Sequence, residues 1–267
     1  MKKIRVPASS ANMGPGFDVL GMAIDRYLEV EFAEEGVGSI DHLTMKVFKQ
    51  FGGTGGLKIT STIPPARGMG FSGAARVAGL AAAAIQKGSD LEECRRWLFL
   101  EATELEGHPD NVAPSVFGGV TVAVGERVEP VPLGMQANVI LWVPETLSGT
   151  KESRKKLPTQ VSMEDAVFNM GRTALLIAAL TNGDTDLLGD ASEDRLHQNL
   201  RLQALPETAE AMQAACDAGA WCSWLSGSGP TAAALCEPAI AERVAAALPP
   251  GGDVSIGHVD MRGAVYE

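Results

Sequence analysis

A chain of 267 residues with 45% hydrophobic composition can bury a full core in one large domain or two modest ones. Its net charge of -11 and pI near 4.9 exclude the broad basic field that nucleic acid or an anionic membrane surface would need, so any anionic ligand must meet local positive groups. Four cysteines without CxxC spacing, a basic N-terminus with no apolar run behind it, and no transmembrane-length apolar stretch lead us to expect reduced thiols and a soluble, cytoplasmic protein.

In chain order, "PASSANMGPGFDVLG" holds Asn12 and Asp18 around glycines and reads as a glycine-rich turn. Strands are expected at "LEVEFAE" and "LKITSTI", which alternate as a half-buried strand does. An alanine-rich helix, "FSGAARVAGLAAAAIQKG", should end at Gly88, and a second, "SDLEECRRWLFLEATELEG", should open on Ser89 as N-cap with Glu92 three residues on. Two more strands, "GVTVAVG" and "NVILWVP", close the first half. Beyond about Pro144 longer helical spans take over, "SMEDAVFNMGRTALLIAALTNG" and "LPETAEAMQAACDAG", followed by a strand pair around "SGSG" and a final helix "PAIAERVAAAL". The change of pattern divides the chain into residues 1–150 and 151–267, closely packed because no Pro/Ser-rich linker separates them.

The stretch "PPARGMGFSGAARVAG" places glycines, a serine and small residues where a strand turns into a helix. Such a turn presents backbone N–H groups and the positive end of the helix dipole, which suit a phosphate. Gly68, Gly70 and Gly73 would clear the concave face, and Ser72 offers a hydroxyl. No Gly-Lys-Ser/Thr follows, so this is not a Walker A loop, and tight helix-on-sheet packing explains the small residues equally well.

Together with "WLSGSGPTAAAL", "EGHPDNVAPSVFGG", "GTKESRKKLP", "AVFNMGRTALL" and "DRLHQNL", these segments resemble the GHMP family of small-molecule kinases along nearly the whole chain, and its homoserine kinase branch in particular. The resemblance implies a two-layer α+β fold, with a ribosomal-protein-S5-like N-terminal domain and a ferredoxin-like C-terminal α/β domain. It also implies transfer of the γ-phosphoryl group of ATP, with Mg2+, to the side-chain hydroxyl of L-homoserine on the route to threonine. Matched motif to motif, Pro64, Pro65, Ala66, Arg67, Gly68, Met69, Gly70, Phe71, Ser72, Gly73 and Ala74 would form the nucleotide loop. Arg154 and Arg201, assisted by Thr150, would hold the substrate carboxylate, a role that suits the guanidinium fork. Asp18 would pair with the ammonium, while Asn12, His108 and Asn111 would line the hydroxyl end. Magnesium would sit on Ser72 and Glu104, with Glu101 the next choice, and catalysis would fall to Asn12, Glu104 and Asn111. Asn111 stands where some relatives carry a carboxylate base, so proton removal would fall to phosphate or solvent, which phosphoryl transfer tolerates. A homodimer is expected by analogy alone.

Each assignment has a plainer competitor. "KESRKKLP" also fits a solvated basic face, Arg201 and His197 fit a helix cap, and Asp110 and Asn111 are good N-caps. The loop reads "GMGFSGAA" where relatives read Gly-Leu-Gly-Ser-Ser-Ala-Ala, so Phe71 replaces a serine and Gly73 an alanine. That departure keeps two rivals open: a GHMP kinase for another hydroxy acid, and a catalytically silent ligand sensor.

Overall fold

The computed structural model describes residues 2–147, 150–155 and 157–267, apart from the side chains of 150–152. Among the described residues the strands are β1 (Ile4–Ala11), β2 (Leu20–Ala33), β3 (Gly56–Ser61), β4 (Val120–Val124), β5 (Arg127–Val131), β6 (Asn138–Pro144), β7 (Cys222–Leu225), β8 (Ala232–Cys236), β9 (Gly252–Gly257) and β10 (Val265–Tyr266). The helices are α1 (Leu43–Gln50), α2 (Phe71–Gln86), α3 (Arg95–Glu106), α4 (Val112–Phe117), α5 (Thr150–Lys155), α6 (Met163–Asn182), α7 (Leu188–Ala191), α8 (Gln198–Leu202), α9 (Pro206–Asp217) and α10 (Ala241–Ala247). No helix among the described residues is long and apolar enough to cross a membrane.

One sheet runs β10-β1-β2-β4-β5, with β3 also on β2. The 14-residue β2 is long enough for its two halves to take different neighbours: Leu20–Met22 pair with β4 and Leu28–Ala33 with β3. The second sheet runs β7-β8-β6-β9. Its central strand β6 is buried at every position, which explains the unbroken apolar run of "NVILWVP". The sheets therefore change after Val131, ahead of the division expected at residue 150, and β10 returns to the first sheet beside β1.

Helix α2 is buried over most of its surface, and its alanines and glycine let neighbours come close. A Cβ on Gly79 would lie 2.6 Å from the Thr44 carbonyl of α1. The expected helix boundaries hold at α6, where Ser162 Oγ accepts from the Asp165 N–H at 3.0 Å and Gly183 closes the helix at φ +73. They fail at α3. Asp90, not Ser89, turns the chain there by accepting from the Glu92 and Glu93 N–H groups, and the helix begins only at Arg95.

Both sheets meet where the end of β1 touches the β7–β8 turn. Ser10 Oγ and Ser226 Oγ lie 2.7 Å apart, Trp224 Nε1 donates to Ser10 Oγ at 2.8 Å, and the Gly227 N–H donates to the Ala11 carbonyl at 3.0 Å. The N-terminus of α2 and the α3–α4 connection open on the same seam.

Candidate active site

A cavity of about 270 Å³ lies at this seam, lined by the expected residues Asn12, Asp18, Ala66, Gly68, Met69, Gly70, Phe71, Ser72, His108, Asn111, Arg154 and Arg201. Their elements span the whole chain, so only the fold brings them together.

The nucleotide loop enters the cavity at the N-terminus of the 16-residue α2, whose first N–H groups have no partner within the helix. Its glycines are needed for a reason other than open space. Gly68 and Gly70 have φ of +73 and +67, and a Cβ would lie 2.3 Å from the Ser226 carbonyl oxygen and 1.9 Å from Ser9 Oγ. Hydrogen bonds from Ser226 Oγ to the Gly68 carbonyl and from Thr231 Oγ1 to the Arg67 carbonyl, both 2.6 Å, hold the loop against the β7–β8 turn. At Gly73 the nearest neighbour is 3.5 Å away, so the alanine of relatives would fit. Pro64, Pro65 and Arg67 face a separate, more open groove, and the Arg67 side chain donates to the Pro144 and Glu145 carbonyls. Gly73 and Ala74 lie on the buried face of the first turn of α2. Phe71 turns one face to the cavity and meets His42 edge-on at 5.9 Å.

Asn12 and Asn111 are both braced. Asn12, in a left-handed conformation at φ 73, donates to the Gly227 carbonyl at 2.9 Å and accepts from the Asp18 N–H at 3.1 Å. Asn111 accepts from Ser9 Oγ at 2.9 Å and donates to Asp110. Buried Asp110 also accepts from His108 Nδ1 at 2.7 Å, and this bond raises the His108 pKa against the opposing effect of burial.

The charged end of the cavity gathers around Phe17. Arg154 makes two hydrogen bonds to Asp18, at 2.7 and 2.6 Å, and that pairing raises the Arg154 pKa. The Arg154 and Arg201 guanidinium carbons lie 5.3 and 5.4 Å from the Phe17 ring centroid, within cation–π range. Arg201 is only 6% exposed and has no carboxylate within salt-bridge distance among the described residues. Burial, followed by repulsion from Arg154, lowers its pKa, and its buried Nε has no hydrogen-bond partner among the described residues. Its Nη1 donates to the Gly227 carbonyl and to His197 Nδ1 at 3.0 Å. A guanidinium can only donate, so the His197 proton sits on Nε2, directed at the Gly14 carbonyl 2.8 Å away. Burial lowers the His197 pKa and keeps the ring neutral.

The α3 carboxylate at the cavity is not the one expected. Glu104 is exposed and Glu101 lies off the cavity, whereas Glu106 lines it and accepts from Ser72 Oγ at 2.9 Å. Residues 104 and 106 point in nearly opposite directions on a helix, and Glu106 continues the buried stripe of Leu98, Phe99 and Ala102. The Thr150 side chain lies outside the described residues. Sequence reasoning also missed Phe17 and Asp110 as cavity residues. An acidic residue on an apolar stripe and the run "GHPDN" were the available signals.

Residues 39–119 match the GHMP kinases N terminal domain and residues 176–251 the GHMP kinases C terminal domain. A homoserine kinase of Desulfitobacterium hafniense is 39% identical, over 93% of this chain and 91% of its own, and one of Thermus thermophilus is 41% identical over 88% and 87%. The crystal structure of a Cytophaga hutchinsonii homoserine kinase superposes with a TM-score of 0.85 at 26% identity, covering 99% of this chain and 96% of its own. A putative homoserine kinase of Listeria monocytogenes gives 0.82 at 29%, covering 100% and 99%. The chain belongs to the GHMP kinase family, in its homoserine kinase branch.

Proposed function

We propose that the chain transfers the γ-phosphoryl group of ATP to the side-chain hydroxyl of L-homoserine, giving O-phospho-L-homoserine for threonine synthesis. The observation that carries this reading is the charge pattern around Phe17: a buried arginine without a carboxylate partner among the described residues, beside an Asp–Arg pair. An amino acid supplies what the set lacks. Its carboxylate meets Arg201 and Arg154, its ammonium meets Asp18, and the two free-state partners exchange each other for the two ends of one zwitterion. A sugar or an isoprenoid alcohol would leave Arg201 unsatisfied.

The hydroxyl tail then points towards Asn111 and His108, near the α2 N-terminus that receives the phosphates. The side-chain oxygen forms the new bond to phosphorus, the bond to the β–γ bridging oxygen breaks with ADP as leaving group, and the hydroxyl proton passes to phosphate or solvent. Asn111 orients the hydroxyl without taking its proton. His108, held towards its charged form by Asp110, contributes positive potential near the developing charge. The family resemblance implies a magnesium ion on Ser72 and a carboxylate, but these residues do not fit a protein-held ion. Ser72 and Glu106 are both already hydrogen-bonded by Arg76.

A coupled ADP-release assay over a panel of amino and hydroxy acids tests the reading. We expect turnover with L-homoserine well above that with 4-hydroxybutyrate, which lacks the ammonium. Equal rates with the two would overturn it, and activity with no acceptor would favour the sensor.

A further inference from the structure

The Ser72–Arg76–Glu106 cluster beside the phosphate-facing turn of α2 has no counterpart in the substrate pocket. Residues four apart share a helix face and their side chains lean towards the N-terminus, so Arg76 reaches back to Ser72, which with Glu106 lines the cavity, while Arg76 itself stands directly behind them. Its Nη1 donates to both Ser72 Oγ and Glu106 Oε2, and Ser72 Oγ donates to the same carboxylate oxygen at 2.9 Å. The Arg76 and Glu106 side chains are 19% and 11% exposed. Among the described residues Glu106 is the only carboxylate paired with Arg76, and no group of three His, Cys, Asp or Glu side chains converges as a metal set. A metal ion ligated by Ser72 and Glu106 would have to expel the guanidinium and strand its charge in a mostly buried place, at a cost in desolvation.

We propose that Arg76 is a catalytic residue: its guanidinium is the built-in cation at the Ser72–Glu106 position and contacts the γ-phosphoryl oxygens there, in place of a metal ion held by those two side chains. The proposal rests on the kinase reading of the cavity. Nη1 is committed to Ser72 and Glu106, while Nε and Nη2 make no hydrogen bond among the described residues and keep two donors of a planar fork for phosphate oxygens. Glu106 is then a positioning residue that anchors the fork, and no bond to Arg76 forms or breaks during transfer.

Calorimetric titration of ATP into wild type, Arg76→Met, Arg76→Lys and Glu106→Gln, each in EDTA and in excess magnesium, reads the assignment without turnover. Paramagnetic resonance of Mn2+ with ADP locates the metal. We expect wild type to bind metal-free ATP, Arg76→Met to lose about 10- to 100-fold of that affinity, and Arg76→Lys to recover part of it. Glu106→Gln should leave the Mn2+ signal with ADP intact. Unchanged metal-free affinity in Arg76→Met overturns the proposal, as does abolition of the Mn2+ signal by Glu106→Gln, since the carboxylate would then be a metal ligand. Failure of wild type to bind ATP even with magnesium overturns the kinase reading and the proposal with it.

Discussion

Arg154 and Arg201 should contribute unequally to homoserine recognition, although the proposed binding mode brings both to the same carboxylate. In the free protein Arg154 already has a bidentate partner in Asp18, so binding exchanges one charge-assisted pair for another and only the difference appears in affinity. Arg201 has no such partner among the described residues, and its burial penalty is present before substrate arrives. A charge-assisted hydrogen bond contributes about 1.5–3 kcal/mol. Arg201→Met should therefore lower kcat/KM for homoserine by roughly 10- to 150-fold at about 1.4 kcal/mol per decade. For Arg154→Ala the loss should be roughly 5- to 10-fold, because the freed Asp18 carboxylate grips the ammonium harder. Steady-state kinetics with each substrate varied in turn provides the assay, with KM for ATP nearly unchanged in both variants and melting curves checking that Arg201→Met folds. A larger loss at Arg154 than at Arg201, or impaired ATP binding in either, would refute the reasoning.

Three further outcomes follow from the geometry. Gly70→Ala, at φ +67 with Ser9 Oγ in the way, should cost more than the 1–2 kcal/mol or so of a left-handed residue, whereas Gly73→Ala, in a helix with 3.5 Å of room, should gain about 0.5–1 kcal/mol; denaturant unfolding measures both. Glu106→Gln should depress turnover strongly while Glu104→Gln stays near wild type in the ADP-release assay, since only Glu106 reaches Ser72. The folded pKa of His197 lies below the ordinary 6.5, so the unfolded chain binds more protons and stability falls as pH drops below about 6.5. Melts of His197→Asn should show a shallower fall in that window, the remainder belonging to His42, which burial also lowers. His108, raised by Asp110, acts above 6.5 with the opposite sign: its contribution is lost as pH rises through its folded pKa.

The long amphipathic and capped elements were legible because local chemistry decides them. α6 has its serine cap, acidic first turn and closing glycine in sequence, and the structure places them as expected. β1 was not. Pro7 and the paired serines read as a turn, yet Pro7 sits at the register shift against β2, where a missing N–H is tolerated, and Ser9 and Ser10 are buried because Asn111 and Ser226 take their hydroxyls. In the site, motif matching named residues of the glycine-rich turns that the structure gathers at one cavity. It named Glu104, with Glu101 next, and passed over Glu106, the α3 carboxylate that lines the cavity, because which of them faces inwards depends on helix phase, which the buried stripe sets. It also gave the loop glycines a ligand-facing reason, whereas Gly68 and Gly70 are demanded by backbone conformation and by the neighbouring loop and strand. Those contacts join residues far apart in the chain, and no local pattern records them.

The most direct measurement of the central claim is phosphorus NMR of the product formed from ATP and L-homoserine. A phosphomonoester resonance coupled to the substrate's terminal methylene protons is the predicted result. Release of inorganic phosphate alone, or a phosphorus signal without that coupling, as an acyl phosphate would give, would contradict it.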